Sequence, residues 1–117
     1  DDYHDYLDSV RHFLALSKSD LNSRFKATTE LTKTLDIDGI KKLLNVWISI
    51  IRDSLLIKNS SGNFINHLSI ETDLQNGLNN YDSKELANLI SETQKARMYL
   101  DENVNTKLVL ENLVLNF

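Results

Sequence analysis

Three side chains near the start of the chain have the types and spacing of a metal-binding set. His4, Asp8 and His12 stand four residues apart, and residues four apart share one face of an α-helix. Imidazole and carboxylate groups are both zinc ligands, but a closed site also needs a fourth ligand and supporting hydrogen bonds. The three residues lie opposite the apolar stripe of their own segment. We therefore interpret them as a solvated helix face and predict no metal site.

Two arginines and an aspartate interrupt otherwise apolar stretches. Arg52 and Asp53 are adjacent, and neighbouring residues on a helix point about 100° apart, so they do not pair with each other. We expect each to reach a partner on another helix or on another subunit, and the sequence leaves both possibilities open. Arg97 falls at the edge of an apolar stripe. We interpret it as a snorkelling side chain with its guanidinium in water rather than as half of a buried ion pair.

No residue pattern typical of a catalytic or cofactor site is present in the sequence. The chain has no cysteine, no G-x-S-x-G and no H-E-x-x-H. Its three glycines are isolated, so it lacks a loop of the G-x-x-x-x-G-K-[ST] type that holds phosphates. We therefore predict a non-catalytic chain without a cofactor, a metal or a small-molecule ligand.

The last predicted helix is apolar on two sides. One broad face carries Val109, Leu110, Leu113, Val114 and Phe117. The opposite side carries two leucines seven residues apart, Leu108 and Leu115, and the polar residues beside them are Lys107, Glu111 and Asn112. Since one face can dock on the chain itself, the second is expected to meet a further helix or another protein. The alternative is that both are scattered surface leucines, which are common.

The segment at 36–58 is the element around which these side chains must be arranged. Its apolar residues spread over roughly 200° of the helical wheel. A helix this apolar must contact several neighbours, so we predict that it is the central helix of a bundle. Asp36 is its predicted N-cap. Trp47, the only tryptophan, lies in the middle of the apolar arc and is the predicted core anchor.

The other segments also show helical periodicity. Helices are predicted at 3–16, at 21–35, from a capping box of Asp82 and Glu85 to about 103, and after a cap at Asn105. Leu21 and Leu35 end the apolar stripe of the second helix, and Val104 ends that of the long one. Between the central and long helices we predict a loop at 59–63, an apolar connection at 64–68 and a short helix at about 70–78. With no proline and no strand pattern, the predicted fold is all-α, a single bundle of five to six helices.

Composition limits the classes of partner. The chain has 117 residues, 41% of them hydrophobic, and a net charge of −4. There is no cluster of basic residues beyond Lys41 and Lys42, which argues against nucleic-acid or anionic-membrane binding, and no apolar run approaches the ~20 residues of a membrane span. We expect residues 1–117 to form one domain. Because the chain begins with Asp-Asp rather than Met, we expect it to be part of a longer protein.

Two stretches resemble a known family. Residues 46–58, V-W-I-S-I-I-R-D-S-L-L-I-K, resemble a helix in the C-terminal domain of the bacterial DNA polymerase III delta-prime subunit. Residues 96–113, A-R-M-Y-L-D-E-N-V-N-T-K-L-V-L-E-N-L, are similar to the closing segment of that protein. The second match is the more specific, because seven residues recur at the family's spacing: Asn103, Asn105, Lys107, Leu108, Leu110, Glu111 and Leu113. The two stretches cover about a quarter of the chain, and residues 1–35 fit by position only.

The resemblance implies the collar domain of a clamp-loader subunit. In that family five related subunits form a ring through such helical domains, and their ATPase-like modules open the sliding clamp at a primer–template junction. The delta-prime subunit does not hydrolyse ATP, although its ATPase-like module contributes an arginine to a neighbour's ATP site. That module, with its zinc-binding cysteines, would precede Asp1.

The function that the resemblance leaves to this chain is assembly. The implied partners are the ATP-hydrolysing subunits and the delta subunit, in the bacterial cytoplasm, with no direct nucleic-acid contact from this domain. The candidate interface is a set of seven residues: Leu108, Lys107, Glu111, Asn112, Leu115, Arg52 and Asp53. The alternative is a free-standing helical adaptor or regulator that binds a partner helix, and a small helical enzyme is a third and weaker hypothesis. Only the two family-like stretches separate the first interpretation from the second.

Overall fold

The computed structural model describes residues 2–58, 78 and 81–117, and this part of the chain is all helical. The helices are α1 (Asp2–Lys18), α2 (Leu21–Thr34), α3 (Ile37–Lys58), α4 (Ser83–Asp101) and α5 (Thr106–Val114). The predicted all-α class is confirmed. The predicted loop at 59–63 and connection at 64–68 lie outside the described residues. So does the predicted short helix at 70–78, apart from Leu78, which is buried in the core.

Side chains that accept hydrogen bonds from backbone N–H groups mark where helices begin. The capping residues of α2, α3, α4 and α5 are Asp20, Asp36, Asp82 and Asn105. At α4 the bonding is reciprocal, because Asp82 accepts from the Glu85 N–H at 2.7 Å and Glu85 accepts from the Asp82 N–H at 3.2 Å. The caps predicted at 36 and 105 and the predicted capping box are confirmed. Each such cap stabilises a helix by about 1 kcal/mol.

The hydrophobic core lies around α3. This helix packs against α1 and α4, while α5 packs against α2 and α4. Trp47 is completely buried, and its ring centroid lies 5.6 Å from that of Phe13 in α1 and 5.5 Å from that of Phe117 after α5. The two phenylalanine rings are themselves 5.3 Å apart. Three parts of the chain that are distant in sequence therefore meet in one aromatic cluster.

Three residues assigned to apolar stripes are not in the core. Leu21, Leu35 and Val104 are 43%, 37% and 38% exposed. Leu35 follows the end of α2 with an extended backbone, and Val104 follows the end of α4 at Asp101. Helical periodicity does not continue past the last helical residue in either case, so the predicted side-chain directions are wrong there. Leu21 is the first residue of α2.

Replacing Trp47 tests the central position of α3. Trp47→Ala should lower the free energy of unfolding by about 3–5 kcal/mol, the usual cost of truncating a large buried aromatic. Against a typical total of about 5–15 kcal/mol, the domain would become marginal at 37 °C. Chemical denaturation measures the loss.

Trp47→Phe is the matched control for that change. It keeps an aromatic ring between Phe13 and Phe117, so it should be clearly less destabilising than Trp47→Ala. A denaturation midpoint for Trp47→Ala within error of the parent would contradict the burial of this side chain.

Candidate protein interaction site

The junction between α4 and α5 is a tight turn closed by backbone hydrogen bonds. The Val104 N–H donates to the Tyr99 carbonyl at 3.2 Å, and the Asn103 N–H donates to the Leu100 carbonyl at 3.4 Å. This is the Schellman pattern, which needs a left-handed residue after the cap. Asn103 fills that place with a φ of 60°. Because Asn105 then caps α5 at once, the final helix folds back against α4.

A groove runs between α4 and α5. Its floor is made of the buried Ala96, Val109 and Leu113, and its mouth is made of exposed apolar side chains. The mouth residues are Tyr99, Val104 and Leu108, which are 43%, 38% and 53% exposed. The groove holds about 240 Å³, below the range of about 300–1,000 Å³ that small-molecule sites usually occupy. Its size and open shape suit the side chains of a partner protein.

The predicted interface residues on α5 divide into two groups. Leu108 and Asn112 line the groove. Leu115 lies at the end of α5, outside the groove lining, and is also 53% exposed. Lys107 is exposed and Glu111 is half-buried, and neither lines the groove. The apolar second side predicted for the last helix is therefore at the surface, but only part of it belongs to the groove.

Arg52 and Asp53 lie on another part of the molecule. Asp53 accepts a hydrogen bond from the Tyr6 hydroxyl at 2.5 Å, which links α3 to α1. Burial, then this hydrogen bond, then the charge of Asp53 raise the pKa of Tyr6 above its ordinary value of 10.0. The sequence left open whether Asp53 has a partner within the chain or on another subunit. The structure gives it a partner within the chain. Arg52 is exposed, and neither residue lines the α4–α5 groove.

A small ion-pair network holds the start of α3 beside the end of α4. Asp101 lies 2.7 Å from Lys41 Nζ and 2.8 Å from Arg97 Nη1. The hydrogen bond to Lys41, then the one to Arg97, hold the pKa of Asp101 below its ordinary value of 3.8. The Asp101 side chain is 53% exposed, so Arg97 forms its ion pair at the surface rather than in the core. The network ends two residues before Asn103.

The candidate metal set lies only partly within the described structure. Asp8 and His12 are exposed on α1, whereas the side chain of His4 lies outside the described residues. In the described part of the chain, no three His, Asp or Glu side chains are grouped so that they could hold a metal ion. Within the same residues, no helix has the length and apolar character needed to cross a membrane.

Two apolar residues at the mouth of the groove were missed by sequence reasoning, and so were the polar lining residues Glu92, Lys95 and Asn116. Tyr99 was not singled out, and Val104 was expected on the core side of α4. The C-cap of α4 is Glu102. In the Schellman pattern the residues three positions before the cap and two positions after it are often hydrophobic, and here they are Tyr99 and Val104. An asparagine at 103 followed by a cap at 105 indicates such a turn, but the burial of either side chain depends on how α5 folds back.

Comparison with known families gives a match over almost the whole chain. A family model described as DNA polymerase III, delta subunit, C terminal, matches residues 9–117. The chain belongs to this family. The clamp-loader part of the resemblance is therefore confirmed, while the match names the delta subunit and does not single out delta-prime. A comparison with curated proteins and one with solved structures each gave no match.

Membership of this family of delta C-terminal domains bears on whether the groove is a protein-binding surface or a catalytic pocket. The family is one of non-catalytic domains in clamp-loader subunits, proteins that work with other clamp-loader components. The matched range includes all of α2 to α5 and most of α1. A surface that binds protein fits this family better than a catalytic pocket does.

Asn103 supplies a test of the turn that shapes the groove. Asn103→Val should lower the free energy of unfolding by about 1–2 kcal/mol, because a β-branched residue is strained in the left-handed region. Asn103→Gly is the matched control and should be neutral or slightly stabilising, since glycine adopts this conformation without strain. Urea denaturation compares the three proteins. Equal stability of the two variants would contradict a left-handed backbone at this position.

Asp101 supplies a test based on pH. Its pKa is lower in the folded chain than its ordinary value of 3.8, so its contribution to stability is present above that pH and is lost as the pH falls through the folded-state pKa. Asp101→Asn should therefore lower the melting temperature at neutral pH, and the difference from the parent should shrink below pH 3.8. Glu102→Gln, the same change of charge at the next exposed position, is the control. A difference independent of pH would contradict the ion-pair explanation.

Proposed function

We propose that this chain is the collar domain of a DNA polymerase III delta-prime subunit and that it assembles that subunit into the clamp loader. In this proposal residues 1–117 are one non-catalytic domain of a longer protein. Its partners are the ATP-hydrolysing subunits and the delta subunit in the bacterial cytoplasm. The domain itself makes no direct contact with nucleic acid, because its net charge of −4 does not attract a polyanion.

The observation that carries the proposal is the exposed apolar side of α5 and its junction with α4. Tyr99, Val104 and Leu108 converge on one groove, and Leu115 adds an exposed leucine at the end of α5. Covering large apolar side chains is favourable by about 25 cal/mol per Å² of apolar area removed from water. A contiguous apolar patch beside polar rim residues is typical of a protein interaction surface.

The choice of delta-prime rests on the two stretches at 46–58 and 96–113. The first is α3 around Trp47, and the second runs from α4 through the turn at Asn103 into α5. The second stretch includes most of the groove, so the most specific resemblance and the proposed interaction surface coincide. The family match supports the assignment to a clamp loader. The choice of delta-prime within it is our proposal.

The proposed interface on α5 predicts that assembly and folding can be separated. Leu108→Glu combined with Leu115→Glu should abolish co-purification of the full-length protein with the other clamp-loader subunits, because a charge would enter an apolar contact. Both leucines are half exposed, so each change should alter the stability of the chain by no more than about 0.5 kcal/mol. Thermal melting of the chain measures the second expectation.

The control for this experiment is Leu21→Glu combined with Ile37→Glu. These residues are also exposed and apolar, 43% and 39%, but they begin α2 and α3 rather than bordering the groove. The control should leave both melting and assembly unchanged. Intact assembly of the α5 variant would overturn the interface, and a collapsed melt would place the leucines in the core. If the parent chain co-purifies with other proteins but with no clamp-loader subunit, the adaptor alternative is favoured.

A further inference from the structure

A second depression lies beside the groove between α4 and α5. That depression is lined by Tyr81, Glu85, Asn88 and Leu89, and it shares Glu92 and Asn116 with the groove. The two are therefore adjacent along α4, and we call them together the α4 trough. From Glu85 to Tyr99 it follows α4 over a length of about 21 Å, at 1.5 Å per residue. This length accommodates about four turns of a second helix laid along it.

The two ends of the α4 trough differ in chemistry. Exposed apolar side chains border one end, at Tyr99, Val104 and Leu108. The other end has the carboxylates of Glu85 and Glu92 with the Tyr81 hydroxyl and the Asn88 amide. An occupant must therefore be apolar over one part of its length and polar, with positive charge, over the other.

Two carboxylates and one lysine line the α4 trough, so its lining carries a net negative charge. Among the described residues that line it, Lys95 is the only basic one. Its Nζ lies 3.5 Å from Glu92 in an exposed pair, and exposed pairs of this kind contribute little. Arg24 of α2 acts on Tyr81 electrostatically. Its guanidinium keeps its positive charge but donates to the neutral carbonyls of Ser19 at 3.0 Å and Val114 at 3.3 Å, not to a carboxylate of the trough. The acidic end is therefore available to a partner's cation.

We propose that the α4 trough binds an amphipathic helix of a neighbouring clamp-loader subunit, with its apolar residues at Tyr99 and Leu108 and its Lys or Arg residues at Glu85 and Glu92. The inference rests on the proposed function and adds to it the chemistry and direction of the partner segment. An amphipathic helix lays apolar residues spaced at i, i+3 or i+4 and i+7 into such a groove. A second copy of this chain fits less well, because it carries the same net charge of −4 and repels.

Removing the two carboxylates tests the charged end of the α4 trough. Glu85→Gln with Glu92→Gln keeps side-chain size, and glutamine at position 85 can still complete the capping box with Asp82. In the full-length protein, binding to the partner subunits should weaken by about tenfold at low salt, and the difference should decline as salt screens the charges. Glu30→Gln with Glu102→Gln removes two exposed carboxylates that do not line the trough and should change binding little.

This comparison separates the inference from the function on which it rests. If assembly depends on Leu108 but is indifferent to Glu85, to Glu92 and to salt, the charged end has no role and the inference is overturned while the collar function stands. If the parent protein does not associate with clamp-loader subunits under any condition, both are overturned.

Photo-cross-linking in the assembled complex tests the direction of the partner helix. A benzoyl-phenylalanine placed at Tyr99 and, in a separate protein, at Asn88 should cross-link to one helical segment of one neighbouring subunit. Mass spectrometry should locate the Tyr99 product at an apolar stretch and the Asn88 product toward a Lys- or Arg-bearing end of the same helix. Cross-links to a second copy of this chain, cross-links to a segment without basic residues, or no cross-link to any subunit would overturn the inference.

Discussion

The burial of Trp47 in α3 is the interaction on which the rest of the structure depends. Its ring contacts those of Phe13 and Phe117, so the first helix and the end of the chain are held against the same side chain. Among the described residues, no acceptor forms a hydrogen bond with Trp47 Nε1. A buried donor without a partner costs about 1–3 kcal/mol. The apolar contacts around α3 must offset that cost, which makes tight packing at this point a condition of stability.

Polar residues near α3 connect helices rather than form a reaction site. Asp53 accepts from Tyr6 of α1, and Asp101 of α4 pairs with Lys41 of α3. Both contacts place α3 against a neighbour. The sequence predicts a partner for Asp53 on another helix or another subunit but does not identify Tyr6, and it gives no signal for the pair at Asp101. The groove between α4 and α5 differs from these contacts, because its mouth is made of exposed apolar side chains.

The groove depends on a few backbone atoms at one turn. The left-handed Asn103 reverses the chain, and the two bonds that end α4 leave Tyr99 and Val104 beside the start of α5. Leu108 lies beside Tyr99 and Val104 because Asn105 caps α5 immediately after the turn. The interaction surface that we propose for this clamp-loader family member is thus a consequence of how one helix ends and the next begins.

Within the described residues, the sequence by itself determined the helices and where they begin. Capping residues such as Asp36, Asp82 and Asn105 act within three residues of their partners, and the apolar arc of α3 requires burial whatever surrounds it. Exposure of Val104 and the bond between Asp53 and Tyr6 could not be predicted in this way. They depend on where a helix ends and on contacts between residues 47 positions apart in sequence. Local hydrogen bonds and periodicity are encoded over a few residues, whereas the α4–α5 groove exists only once two helices have packed.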